Sequence, residues 1–315
     1  MRVLFLKILE GFRKIERGVF RKLSGKGLGR IPGVSALVRL EVFLMYFIFE
    51  KLKPKGTVLI NNVQGNKMYV NTEDKSMVPY LLLDHIWEKY KTELFKKLVR
   101  KGMVVVDIGA GIGYYSLIAA KLVGRNGIVY AFEPEPINYE LLCKNIEVNG
   151  YTNVIPIQKA VSDKKGKSKL YFEKERIVNP SLSKENVLAT SKHKVLEKGG
   201  FVEVDTINMD EFFEKMVRNN KVDVIKVDAE GAEGLVIDGG EEILKSNNLK
   251  MFIEFWPDGL AELGTDPLRM LHKLKEYGFK AKLINETDQS ADPIEIVEFY
   301  RKITPCQGFD LLLEK

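Results

Sequence analysis

The chain of 315 residues has few of the side chains that build metal centres and disulfide frameworks. Its two cysteines, Cys143 and Cys306, stand far apart and form no C-x-x-C pair. No metal site or disulfide scaffold is therefore expected, and a reducing cytoplasm is the simplest setting. Histidine, the usual general base near neutral pH, occurs only as His85, His193 and His272. Phosphate-loop spacing, a Ser-His-Asp arrangement and an N-P-P-Y segment are all missing, as is any internal repeat. Lys7 and Glu10 break the first apolar run and no small-residue cleavage site follows, so no secretory leader is read there. Val42–Phe49 is uninterruptedly apolar for eight residues. That is well short of the roughly 20 needed to span a bilayer.

Apolar residues make up 45% of the chain, enough for a sizeable core. Its most informative stretch is Val104-Val-Val-Asp107-Ile-Gly109-Ala-Gly111-Ile-Gly113-Tyr114. Three β-branched residues end at an acid, a glycine-rich turn follows, and the apolar run Leu117–Val123 begins a helix. This is the strand–turn–helix by which α/β proteins hold a nucleotide-like cofactor. The G-x-G-x-G order, with Asp107 ahead of it, departs from the dinucleotide fingerprint G-x-G-x-x-G. An acid there would repel a pyrophosphate but attract the ammonium of S-adenosylmethionine. Gly127–Phe132 reads as the next strand, with Glu133 at its end and placed to accept both hydroxyl protons of a ribose.

These residues, with Phe132-Glu-Pro-Glu-Pro136, Ala160-Val-Ser-Asp163 and Ile225-Lys-Val-Asp-Ala-Glu-Gly-Ala-Glu233, resemble the FkbM-type methyltransferases. The resemblance runs from about residue 75 to the C-terminus. It implies a class I S-adenosylmethionine-dependent enzyme that methylates an oxygen of a sugar or other small hydroxylated acceptor. It also implies a backbone approach to the adenine at Ala160 and an acid near the cofactor at Glu88. Many relatives carry a histidine where this chain has Ala232, so no role of that histidine carries over. Asn179-Pro-Ser-Leu182 resembles a further family segment.

The expected fold is α/β: a doubly wound, Rossmann-like, seven-stranded sheet over 57–315, preceded by a helical extension over 1–56. Strands are read at 104–107, 127–132, 153–158, 222–227, 251–255, 279–284 and 309–314, the last antiparallel. A short added strand is read at 169–172 and a hairpin at 57–70, its loop at 61–66. Helices are read at 87–99 and 267–277. The polar stretch 173–200 is long for a loop and suits a lid over the acceptor.

Ligand crevices lie at the carboxyl ends of such strands. The cofactor-binding candidates are Glu88, Asp107, Gly109, Gly111, Gly113, Glu133 and Ala160. An acceptor hydroxyl must lose a proton. Asp228, after strand four, is the first candidate base or orienting group, with Glu230 beside it and Gly231 allowing close approach. Glu254 and Trp256 are candidates for the acceptor pocket. His193 is a weaker candidate base, His85 lies ahead of the cofactor domain, and His272 reads as structural.

Charge divides the chain. Residues 1–35 carry nine basic and two acidic side chains, a net of +7 against +6 for the whole chain. Phe5, Ile8, Phe12, Ile15, Val19 and Leu23 recur at helical spacing, and basic residues largely fill the other faces. That pattern suits a helix lying on an anionic membrane surface, which would make the protein peripheral on the inner face of the membrane. It equally suits a helix packed on the enzyme with a solvated basic face. A third reading, an RNA methyltransferase whose arm clamps the phosphate backbone, has no RNA-binding motif behind it. The sequence does not address oligomeric state.

Overall fold

The computed structural model describes residues 56–173, 176–190, 200–216, 221–302 and 308–315. Apart from Gly56, the extension read at 1–56 lies outside the described residues, as does His193. In the remainder, β1 (Thr57–Val63) and β2 (Asn66–Asn71) form an antiparallel hairpin. Its turn is Gln64-Gly65, both with positive φ, as a two-residue hairpin requires. The strands therefore run further than the 61–66 loop expected from sequence, closing through a bulge between Ile60 and Val63. Helices α1 (Val78–Leu83) and α2 (Lys89–Leu98) lead to β3 (Val104–Ile108), α3 (Tyr114–Val123), β4 (Ile128–Phe132), α4 (Pro136–Val148) and β5 (Val154–Ile157).

A second, smaller sheet then begins with β6 (Ala160–Val161), β7 (Gly166–Glu173) and β8 (Arg176–Ser181). Helix α5 (Lys184–Thr190) follows, and β9 (Gly200–Ile207) completes the order β6-β9-β7-β8. The stretch 173–200, expected as a long loop, is in its described part the strand β8 and the helix α5. In β9, Val202, Val204 and Thr206 alternate with the exposed Glu203 and Asp205, the period-two pattern of a half-buried strand.

The chain returns to the main sheet through α6 (Met209–Met216), β10 (Val224–Val227), α7 (Glu233–Gly239), α8 (Glu241–Ser246) and β11 (Lys250–Phe255). It closes with α9 (Pro257–Glu262), α10 (Pro267–Glu276), β12 (Lys280–Asn285), β13 (Ser290–Ile294), α11 (Ile296–Lys302) and β14 (Phe309–Glu314). The main sheet has eight strands in the order β13-β12-β14-β11-β10-β3-β4-β5, one more than the seven expected. The extra strand, β13, is Ser-Ala-Asp-Pro-Ile. Its proline and acid hide a strand from propensity, and both are tolerated because it is an edge. β5, β4, β3, β10 and β11 are parallel, and β14 runs antiparallel to β11 as expected.

Both faces of the parallel strands are covered, which is why β3 reads as an unbroken apolar run. Val105, Ala131, Val224 and Phe252 point to one side, against Leu117 and Ile118 of α3, Met68 of the hairpin and Leu142 of α4. Val106, Tyr130, Ile225 and Met251 point to the other, against Val236, Ile243 and Leu271. Burying each such side chain contributes about 1.5–3 kcal/mol.

Candidate active site

The turn after β3 is shaped by two glycines with different duties. Gly109 has φ +72°, and a Cβ there would lie 1.8 Å from the carbonyl oxygen of Asp228. Only glycine lets this turn pass against the end of β10. Gly111 has φ +55° with open space where its Cβ would be, so its bare backbone borders the cavity. The amides of Gly109 and Ala110 donate to the Phe132 carbonyl at 3.0 and 2.9 Å, tying the turn to β4. Gly113, with φ +94°, begins α3 and does not border the cavity; its Cβ would lie 2.7 Å from Leu142 Cδ1.

Asp107 also lies off the cavity. Only 1% exposed, it accepts the Ser116 hydroxyl at 2.6 Å and stands 3.8 Å from Lys226 Nζ. The carboxylate expected beside a cofactor ammonium is therefore placed beneath the loop, where it fixes the first turn of α3. Burial pushes its pKa up, against the pull of Lys226.

A cavity of about 420 Å³ opens at the carboxyl ends of β3, β4, β10 and β11, within the range of small-molecule sites. Of the expected residues, Glu88, Gly109, Gly111, Glu133, Ala160, Asp228, Glu230 and Glu254 border it. At one end Phe132, Leu141, Ala160 and Val161 make an apolar slot beside the Glu133 carboxylate. Glu133 accepts the Gly111 amide at 2.7 Å and the Glu135 amide at 2.9 Å. Burial raises its pKa to about 7, although these two amides work the other way.

The other end is rich in carboxyl groups. Asp228 follows β10, and its Oδ2 receives Lys226 Nζ at 3.0 Å. Burial would raise its pKa, but Lys226, Lys91 and hydrogen bonds from Lys226 and Glu254 outweigh burial and leave it lowered. Glu254, at the end of β11, is pushed up to about 10 by burial and by the charges of Asp228, Glu230 and Glu233. The two carboxyl groups are thus driven apart, Asp228 toward its ionised form and Glu254 toward its protonated one. Glu233 is fully buried, and its Oε1 accepts the amides of Ala229 at 2.8 Å and Gly231 at 3.3 Å, bracing the turn after Asp228. Burial raises its pKa to about 7.

Glu88 has φ +40° at the start of α2. Its Oε1 lies 2.6 Å from Lys91 Nζ, and its Oε2 accepts the Tyr115 hydroxyl at 2.9 Å. Lys91 in turn reaches Asp310 at 2.9 Å. Burial alone would lower the lysine's pKa, but Glu88 and Asp310 overcome it and raise it.

Several cavity residues escaped sequence reading. Lys226 sits in an apolar strand, and a lysine with its stem in a sheet is legible only once its carboxylate neighbours are placed. Asp74, Met77 and Trp87 come from the segment joining the hairpin to α2, and Leu170, Pro180 and Leu182 from the second sheet. Trp256 turns away to pack on Gly259 and lies off the cavity. His85 lies off it too, and His272 is exposed on α10. Among the described residues, no group of histidine, cysteine and acidic side chains could hold a metal ion.

A family model described as a methyltransferase FkbM domain matches residues 107–281, more than half of the chain. A tRNA(Phe) (4-demethylwyosine(37)-C(7)) aminocarboxypropyltransferase of Methanocaldococcus jannaschii is 40% identical over 75 residues, 23% of this chain and 30% of that protein. A protein-L-isoaspartate O-methyltransferase of Methanococcoides burtonii is 41% identical over 56 residues, 18% of this chain and 28% of that one. The chain thus spans less than a third of the length of either relative. Among solved structures, an S-adenosylmethionine-dependent O-methyltransferase of Thermotoga maritima aligns over 85% of this chain and 81% of its own. It does so at 14% identity with a TM-score of 0.40.

Proposed function

Because the chain belongs to the FkbM family of S-adenosylmethionine-dependent methyltransferases, we propose that it methylates a hydroxyl oxygen of a sugar, glycolipid or similar small acceptor. The cavity fits the cofactor. The apolar slot beside Ala160 suits an adenine, Glu133 can accept ribose hydroxyl protons, and the open space at Gly111 leaves room for a ligand against the backbone. Glu88 borders the same space. When bound, the cofactor supplies an already activated methyl group.

The protein's own task is to align the acceptor, exclude water and handle one proton. Asp228 carries the reading, because its carboxylate opens into the same cavity as Glu133. Held ionised by Lys226, it can accept the acceptor's hydroxyl proton at Oδ1 or orient that hydroxyl. Glu254, protonated, borders the cavity with Asp228 and can donate a hydrogen bond to it. Glu230 stands two residues further along the same turn as a second polar contact for the acceptor.

The acidic lining of the cavity (Asp74, Glu88, Glu133, Asp228 and Glu230, with Glu254 protonated, against Lys159 and Lys226) weighs against a polyanionic acceptor such as RNA. The test is incubation with methyl-labelled cofactor and fractionated cell extract. Label is expected in neutral glycans or glycolipids. Label in RNA would overturn the acceptor class, and label nowhere would overturn the activity.

Residues 1–35 are proposed to attach the enzyme reversibly to anionic membranes, bringing the cavity to a surface acceptor. Each basic residue near such a surface contributes up to about 1 kcal/mol. No helix among the described residues is long and apolar enough to cross a membrane. Deleting residues 1–35 should abolish co-sedimentation with anionic vesicles and leave cofactor affinity intact. A full-length protein that ignores such vesicles would end this part of the proposal.

A further inference from the structure

The turn Asp228-Ala-Glu-Gly231 does not hold its shape alone. Glu230 has φ +51°, a left-handed conformation that side-chain-bearing residues rarely adopt. Its carbonyl accepts the Ser181 hydroxyl at 2.7 Å and the Asn186 amide group at 3.3 Å. Asn186 also donates to the Gly259 carbonyl at 3.0 Å, so one side chain ties the turn to the start of α9. The fit is close, for a Cβ on Gly231 would lie 2.3 Å from Asn186 Nδ2. Both donors are only 2% exposed. Ser181 is itself fixed, accepting the Ser183 amide at 3.1 Å. It stands between Pro180 and Leu182, which line the same cavity as Asp228 and Glu230.

From this arrangement we infer that the second sheet is a clasp. Ser181 and Asn186 are positioning residues that hold Glu230 in its left-handed conformation, so that Asp228 and Glu230 face an acceptor seated against Pro180 and Leu182. The segment Asn179-Pro-Ser-Leu182 then has two duties on alternate residues: Pro180 and Leu182 wall the acceptor space, and the residue between them locks the turn that carries Asp228 and Glu230. An acceptor pressing on that wall bears on the strand that fixes the catalytic turn. The inference rests on the proposed methyl transfer for its consequence and on the hydrogen bonds alone for its mechanics.

The experiment compares Ser181→Ala, Asn186→Ala and Ser181→Thr in the full chain. The first readout is amide hydrogen exchange of the peptide spanning residues 228–233. Exchange there should quicken about tenfold in Ser181→Ala and in Asn186→Ala, with β10 and β3 unchanged, and Ser181→Thr should restore the wild-type rate. The second is transfer of label to whichever extract fraction wild-type enzyme methylates. The maximal rate should fall about tenfold in Ser181→Ala with the half-saturating amount of fraction unchanged, and recover in Ser181→Thr. Calorimetric affinity for S-adenosylmethionine should stay within about twofold throughout.

Wild-type exchange at 228–233 in both alanine variants would overturn the clasp. So would exchange quickened equally across the whole molecule, or a loss that threonine does not restore. A wild-type enzyme that labels no fraction would instead overturn the methyl-transfer reading, and the exchange result would still decide the clasp.

Discussion

At the cofactor end of the cavity, backbone and a single carboxylate shape the site: Gly109 and Ala110 with their amides on the Phe132 carbonyl of β4, and Gly111 with its amide on Glu133, just past that strand. At the acceptor end the work falls to side chains from four separate segments, Asp228, Glu254, Lys226 and the Ser181–Asn186 clasp. A backbone site tolerates little variation where a Cβ would collide with a neighbouring segment, as at Gly109. A site made of paired charges can be retuned by exchanging partners. The first end therefore suits a ligand held by backbone, and the second suits one recognised by side chains.

The largest effect expected breaks the cofactor end by sterics. Gly109→Ala drives a Cβ to 1.8 Å from the Asp228 carbonyl at φ +72°. It should cost at least about 3 kcal/mol in denaturant unfolding, adding backbone strain to overpacking. Gly111→Ala meets no protein atom and should cost only about 1 kcal/mol of stability while weakening cofactor binding. Equal destabilisation by the two would erase the distinction between a packing glycine and a ligand-facing one.

Next in size is Asp228→Asn. It should lower methyl transfer by about 10²-fold, the usual scale for a positioned acid–base group, and leave cofactor affinity near wild type. Near-normal turnover would move the proton's destination to Glu230. Glu133→Ala should have the opposite signature. Hydrogen bonds to a charged acceptor contribute about 1.5–3 kcal/mol each, so calorimetric affinity for S-adenosylmethionine should fall at least roughly tenfold. If each variant damaged both readouts alike, the two ends would not be separable.

How much of this could be read from the sequence follows the same division. The glycine turn, Glu133 and Asp228 are local in sequence, because strand ends and turns carry their signals in neighbouring residues. The parallel strands and antiparallel β14 were legible by period and order. The eighth strand was not, because an edge strand accepts a proline that argues against strand. Asp107 was legible as a strand-end acid, but its side chain faces Ser116 and Lys226, and no spacing rule states which way a strand-end residue points. Glu254 was legible as a strand-end acid, whereas Lys226 and the clasp are products of topology: Ser181 meets Glu230 49 positions away.

The last effect is one of pH, and it separates the two ends by titration. Glu133 and Glu233 each have an ordinary pKa of 4.5, raised by burial to about 7 in the folded protein. A raised carboxyl pKa means the folded state binds the proton more tightly than the unfolded one. The stabilisation this gives is complete below pH 4.5 and is lost as pH climbs to about 7. Stability should therefore fall with rising pH through that window, by up to about 1.4 kcal/mol per pH unit for each group. Glu133→Gln and Glu233→Gln should each flatten part of the slope. Saturating S-adenosylmethionine should flatten only the part that Glu133→Gln removes, because ribose hydroxyls hydrogen-bond the ionised carboxylate and lower its pKa. Unfolding curves between pH 4.5 and 7.5, with and without cofactor, read the difference directly. A cofactor effect that persists undiminished in Glu133→Gln would place the ribose elsewhere and join the two ends into one titrating unit.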